Sequence, residues 1–255
     1  MNHKQNQLSR KGYCILPFPP ELKGYLMSYI YKYCSGSGII NDNREIEDSI
    51  LSMPDGEFSN AFTKQSRFFR NEQATRVLEW AKKEIAPILD SKISINKIRP
   101  LEKSDKLGVA ADNLDVYWRC VRNNKKDVGE PHRDCQFWEL DKRNKNLPVG
   151  YEGVDKRWKL WIQLSGCTAG NSLQFIPRSH HENIPGSFVE TNHGLRPKID
   201  QEWLEKNNTR FKKIGGNNEV SCILFHDKLV HKGVINTESK IRFSGELTLT
   251  AARKD

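Results

Sequence analysis

From Leu114 onward the chain passes into short runs rich in β-branched and aromatic residues, parted by polar loops. Strands are expected at Asp115–Arg122, Trp158–Leu164, Ser172–Ile176, Val220–His226 and Ile241–Thr250. Few helical patterns lie between them. Alternating βαβ units need a helix after nearly every strand, so this layout argues for an antiparallel sandwich or barrel. Residues 1–110 behave differently. Pro19-Pro20 opens a helical segment through Tyr33, and Gly36-Ser37-Gly38 and Pro54-Asp55-Gly56 are turn chemistry. Over Asn71–Leu89, Ala74, Val77, Leu78, Ala81, Ile85 and Leu89 recur at the period of one buried helix face. The expected fold class is α+β: a mainly β core over 111–255, buttressed by the helix-rich part over 1–110. No linker, repeat or low-complexity tract divides the 255 residues, which read as a single domain.

An apolar fraction of 36% and a charged fraction of 29% exclude a disordered or fibrous chain. There is no apolar run of membrane-spanning length and no secretory h-region at the start, so no membrane partner and a cytoplasmic location are expected. Six scattered cysteines without a C-x-x-C pair read as reduced thiols, and Cys135 is given no role. The net charge of +9 favours encounter with anions but selects none. Between Arg119 and Lys159 the basic residues are interrupted by Asp127, Glu130, Asp141 and Asp155, a solvated face rather than a nucleic-acid groove. Asp141–Lys159 and Ile184–Gly216 read as long loops that shape a substrate site, with Arg178, Arg196 and Lys198 as conceivable anion contacts.

Pro131-His132-Arg133-Asp134 sets an imidazole and a carboxylate two residues apart. In an extended strand both project from one face, and Gln136 would follow them there. A third ligand would complete a facial triad of two histidines and one carboxylate, the donor set that leaves open positions on ferrous iron for O2 chemistry. His231 supplies it; His226, in the run Ile223-Leu224-Phe225-His226, reads better as a strand-end residue. Oxidation at ferrous iron needs electrons, and decarboxylation of 2-oxoglutarate provides two. Its distal carboxylate calls for the bidentate fork of an arginine, and Arg242 stands eleven residues after His231. Ser244 shares a strand face with Arg242 and can add a hydrogen bond to the same carboxylate. Arg119 and Arg122 precede the iron motif on opposite faces of one strand; one could meet a substrate anion, and exterior salt bridges are the plainer reading of both. His180 and His181 read as residues capping a strand end.

These residues resemble the iron- and 2-oxoglutarate-dependent oxygenases, in particular the branch that includes phytanoyl-CoA dioxygenase. The likeness covers about residues 115–250: the H-x-D, then Leu160-Trp161-Ile162-Gln163-Leu164 with Gly170-Asn171-Ser172 through Pro177-Arg178-Ser179-His180, then His231, Asn236 and Arg242. It implies a double-stranded β-helix, a jelly-roll or cupin-like barrel, with Fe(2+) on His132, Asp134 and His231 and 2-oxoglutarate on Arg242. Trp161 would line the co-substrate pocket, a role it shares as an alternative with plain core packing. Gly233 stands where the family often has a serine, and Arg178 where it commonly has a glycine. Halogenating relatives lose the carboxylate that Asp134 provides, so hydroxylation is the outcome expected.

The function this implies is an Fe(II)- and 2-oxoglutarate-dependent dioxygenase that hydroxylates an aliphatic carbon of a small metabolite, an anionic or carrier-bound one being among the options, releasing succinate and CO2. Rival readings are an oxygenase acting on protein or nucleic acid, and a non-catalytic β-barrel binding protein.

Overall fold

The computed structural model describes residues 3–36, 43–63, 65–95, 114–143, 156–168, 170–191, 194–214 and 221–252. The runs rich in Val, Ile, Leu and aromatics become the strands of a six-stranded antiparallel sheet. Its members are β1 (Tyr13–Pro17), β2 (Lys92–Ile95), β3 (Val116–Val121), β4 (Lys156–Ser165), β9 (Ser221–His226) and β11 (Arg242–Ala252). The order runs β1-β9-β4-β11, and the far edge of β11 is shared between β3, at Arg242–Leu247, and β2, at Leu249–Ala252. A smaller sheet has the order β10-β5-β8, with β5 at Leu173–Phe175, β8 at Lys212–Ile214 and β10 at His231–Gly233.

Side chains alternate across a strand, so the large sheet has two faces of different kind. Trp118, Leu160, Ile162, Leu164, Leu224, Phe243, Leu247 and Leu249 point outward into the main core. There they meet Leu26, Ile30 and Cys34 of α2 (Pro20–Gly36), Ile46 and Ile50 of α3 (Asn43–Ser52), and Ala74, Val77 and Ala81 of α5 (Asn71–Glu84). A side chain such as Ile30, fully buried here, stabilises the fold by roughly 1.5–3 kcal/mol. The opposite face points at the small sheet, and Trp161, Ile223 and Phe225 share an apolar cluster with Leu173, Phe175 and Ile214. Two sheets therefore face one another, with helices on the outer side of the larger one.

The expected helix over Asn71–Leu89 is broken: α5 ends at Glu84 and α6 (Ala86–Leu89) follows, with Pro87 at the junction unable to continue the backbone ladder. The expected loop at Ile184–Gly216 is also corrected. It holds a hairpin of β6 (Gly186–Thr191) and β7 (Gly194–Ile199), then α8 (Gln201–Asn207) and β8. Much of that hairpin is exposed and carries Pro197 in mid-strand, which hides the usual alternation. In the other expected loop, Asp141–Lys159, β4 already begins at Lys156, and residues 144–155 lie outside the described residues. Arg178, at the family's glycine position, adopts φ 71°, a left-handed conformation that a side chain occupies at a cost of about 1–2 kcal/mol.

Candidate metal centre

His231, the first residue of β10, pairs with His132 across an isolated antiparallel bridge. Each N–H donates to the other's carbonyl, at 3.0 and 3.1 Å, and side chains of such a pair leave on the same face. The two ring centroids lie 4.4 Å apart. Asp134 is not on the strand expected to carry it beside His132: it is the first residue of α7 (Asp134–Arg143). A carboxylate suits a helix's first turn, where unpaired N–H groups and the dipole favour negative charge. Gln136 lies in the same turn, its Oε1 accepting from the Arg133 N–H, so it follows a helix rather than a shared strand face.

Turning the chain at Asp134 still brings the carboxylate to the imidazoles. One ligand atom from each of His132, Asp134 and His231 lies within 4.8 Å of the others. His231 Nε2 is 3.4 Å from Asp134 Oδ2, a buried oxygen with no hydrogen bond. His132 Nδ1 is 2.7 Å from the Glu130 carbonyl and His231 Nδ1 is 3.0 Å from that of Leu229. A carbonyl can only accept, so Nδ1 carries a hydrogen in both rings and Nε2 is the nitrogen left for a metal. Burial, and next His132, push His231 down to about 4, leaving its imidazole neutral at neutral pH. Asp134 sits below the usual carboxylate range: burial works against the charge, and the attraction of the Lys159 ammonium is the largest of those that outweigh it.

His226 lies apart from this group, with Nδ1 2.9 Å from Asp227 Oδ1 and its ring edge-on to Trp158. His180 and His181 occupy a 3-10 turn, not a strand end, so their rings are 3.8 Å apart instead of on opposite faces. Both approach the carbonyl of Ser9 and tie α1 (His3–Lys11) to the sheets.

Arg242, Ser244 and Glu246 alternate along the inner face of β11. The Arg242 Nη1 donates to the carbonyls of Asn171, Ser172 and Val234, while Nε is buried without a partner among the described residues. Ser244 Oγ and, across the ladder, Gln163 Nε2 are likewise buried without partners among the described residues; the Gln163 Oε1 accepts from Ser221. Gly233 links this group to the imidazoles. It follows His231 by one strand repeat, about 6.7 Å, and a Cβ there would stand 2.9 Å from Val128 and 3.8 Å from Arg242 Nη2. A serine would collide with Val128, which accounts for the glycine. Trp161, 2% exposed, belongs to the inner apolar cluster beneath.

Sequence reasoning left open which arginine of the strand before the motif faces inward. It is Arg119, whose Nε is 2.6 Å from Glu246 Oε1; the Tyr117 hydroxyl donates to the other oxygen of that carboxylate at 2.6 Å. The salt bridge expected on the exterior is thus inside. Arg122 is buried on the other face, bound to Asp127, Asp55 and the Met53 carbonyl, and it fastens α4 (Asp55–Ala61) to the sheet. Lys159 and Glu246 were not singled out. Each shares a strand face, at the period of two, with a residue that was: Lys159 with Trp161, and Glu246 with Arg242 and Ser244.

No protein-family model matches the sequence, and no curated protein matches it. Solved structures do. EctD from S. alaskensis, crystallised with 2-oxoglutarate and 5-hydroxyectoine, superposes with a TM-score of 0.59 at 15% identity, over 98% of this chain and 76% of EctD. The non-haem α-ketoglutarate-dependent carbocyclase SnoK from nogalamycin biosynthesis gives 0.57 at 11% identity, over 98% and 84%. EvdO2 from Micromonospora carbonacea var. aurantiaca gives 0.57 at 11%, over 99% and 91%. The chain has the fold of these proteins, among them non-haem iron and 2-oxoglutarate-dependent enzymes.

Proposed function

We propose that this chain is a single-domain Fe(II)- and 2-oxoglutarate-dependent oxygenase that hydroxylates an aliphatic carbon of a small organic molecule. The observation that carries the reading is the convergence of two imidazoles and one carboxylate, one ligand atom of each lying within 4.8 Å of the others. That donor set suits ferrous iron and leaves coordination positions open. The two facing sheets read as a double-stranded β-helix, and the motifs favour the phytanoyl-CoA dioxygenase branch.

Three donors without a partner among the described residues, Arg242 Nε, Ser244 Oγ and Gln163 Nε2, fit the distal carboxylate of 2-oxoglutarate. Bound iron and 2-oxoglutarate supply the oxidant, using O2 and releasing succinate and CO2. The chain's own part is to bind, orient and exclude water. His132 and His231 are held in one tautomer by the Glu130 and Leu229 carbonyls. Arg242 is pre-oriented by three carbonyls, so little freedom is lost when the co-substrate docks. Trp161, Phe175 and Phe225 keep the floor of the site apolar.

Anaerobic addition of Fe(II) and 2-oxoglutarate is expected to produce a weak visible charge-transfer band, absent in His132→Ala and Asp134→Ala. In air, substrate-dependent succinate release should follow the same pattern. Turnover that survives either substitution would sink the assignment.

A further inference from the structure

We propose that Lys159 recognises an anionic group of the organic substrate, a carboxylate in the simplest case, and holds it beside the metal centre; the inference rests on the oxygenase reading above. Lys159 lies on the inner face of β4, opposite Thr248 of β11 and Phe225 of β9. It is 8% exposed. Its nearest described acceptor is Asp134 Oδ1 at 3.7 Å, beyond hydrogen-bond reach. Glu246 is taken up by Arg119 and Tyr117, and the Lys159 Nζ stands 6.0 Å from the Tyr117 ring. Asp115 adds a weaker attraction and has interactions of its own. Three N–H donors on a buried ammonium thus make no hydrogen bond with the described residues, an arrangement that favours a ligand able to accept them.

Charge matching points the same way. Arg242 answers to the distal carboxylate of the co-substrate, Arg119 to Glu246, and Asp134 is committed to the metal. Lys159 is an inward cation whose nearest described carboxylate, that of Asp134, has another task. Arg119 leaves more than a third of its side chain (35%) exposed although it faces inward, so the inner face of the sheet is open to solvent at this level. Lys159 and Arg242 approach the inner face at different levels, because Ser244 pairs with Gln163, four residues along β4 from Lys159.

A charge-assisted hydrogen bond of about 2.8 Å from Nζ keeps the anion within about 6.5 Å of Asp134 Oδ1. The oxidised carbon therefore lies only a few bonds from the anionic group, not at the far end of a long chain.

The test uses the full chain loaded anaerobically with Fe(II) and 2-oxoglutarate. Acetate, propionate and butyrate are titrated against acetamide, propionamide and butyramide at constant ionic strength, with dissociation constants read from the charge-transfer band. The wild type is expected to bind at least one acid roughly tenfold or more tighter than its amide. Lys159→Met should reduce that preference below threefold with the band intact, and Lys159→Arg should keep most of it. Equal binding of acids and amides, no binding of either, or a preference that survives Lys159→Met overturns the inference. So does a Lys159→Met that weakens 2-oxoglutarate tenfold and leaves the acids unaffected, since the lysine then serves the co-substrate. Absence of the band from the wild type counts against the oxygenase reading, and this inference falls with it. The acid-to-amide comparison in the wild type needs no variant, so it decides even where Lys159→Met fails to fold.

Discussion

Glu246→Gln is expected to destabilise the protein by an amount that depends on pH. Arg119, Lys159 and the Tyr117 hydroxyl outweigh burial and bring the Glu246 carboxyl from an ordinary 4.5 to about 2. A folded-state pKa below the unfolded one contributes stability that is fully present above about 4.5 and is lost as pH falls toward 2. The gap of roughly two and a half units corresponds to about 3 kcal/mol at 1.36 kcal/mol per unit. The Glu246 side chain is 12% exposed and that of Arg119 35%, so solvent there trims the figure to about 2 kcal/mol. Glutamine keeps the shape and loses the charge, leaving Arg119 without its counter-ion. Urea unfolding of both proteins at pH 7 should show a difference of about 2–3 kcal/mol. At pH 3 the difference should fall by about half, because the wild type loses its advantage as Glu246 protonates in the unfolded chain. A difference that is the same at both pH values, or smaller than about 0.5 kcal/mol at pH 7, would refute the account of the buried pair.

Three other outcomes follow from the geometry. Arg242→Met should raise the dissociation constant for 2-oxoglutarate by roughly 10- to 150-fold, the worth of a charged hydrogen bond, while metal binding measured by titration with Co(II) persists. Gly233→Ala should cost about 1–3 kcal/mol in thermal or urea unfolding through its clash with Val128, and Val128→Ala in the same chain should recover part of it. Arg178→Gly should stabilise the fold by about 1 kcal/mol, a rise of roughly 2–4 °C in Tm by calorimetry, since glycine takes φ 71° without penalty.

The parts of this fold that could be read from sequence are those whose residues meet one environment along their whole length. β3, β4, β9 and β11 each bury one face against helices and the other against a sheet or cavity, and their apolar runs lie within a few residues of the expected limits. The α5 face was visible for the same reason. Elements that were missed lack that contrast: β10 and β8 are three residues each, and the β6–β7 hairpin is largely exposed. At the site, the sequence reading singled out His132, Asp134 and His231, which the fold gathers within 4.8 Å, but it put the H-x-D on the wrong local backbone. An i, i+2 pair fits one face of a strand, and it fits equally a bridge residue followed by a helix's first turn, which only the packing of α7 against its surroundings resolves. Lys159 and Glu246 escaped notice because a strand's inward face cannot be told from its outward one until the helices are placed.

The placement of β11 has a consequence for how the molecule forms. This strand pairs along one edge with β4 and along the other with β3 and then β2, so residues 242–252 join segments that include 92–95, some 150 positions earlier. Contacts of such long sequence separation are slow to nucleate. Arg242, Ser244 and Glu246 ride on that strand, and the halves of the pocket wall have no common floor until it is inserted. Before β11 docks, the chain exposes the unpaired edges of β3 and β4 and their apolar faces, surfaces that invite association between copies. Assembly of the pocket and protection from aggregation are thus one late event, and a mutation that slows the docking of β11 should lower the yield of folded protein before it alters any property of the molecules that complete it.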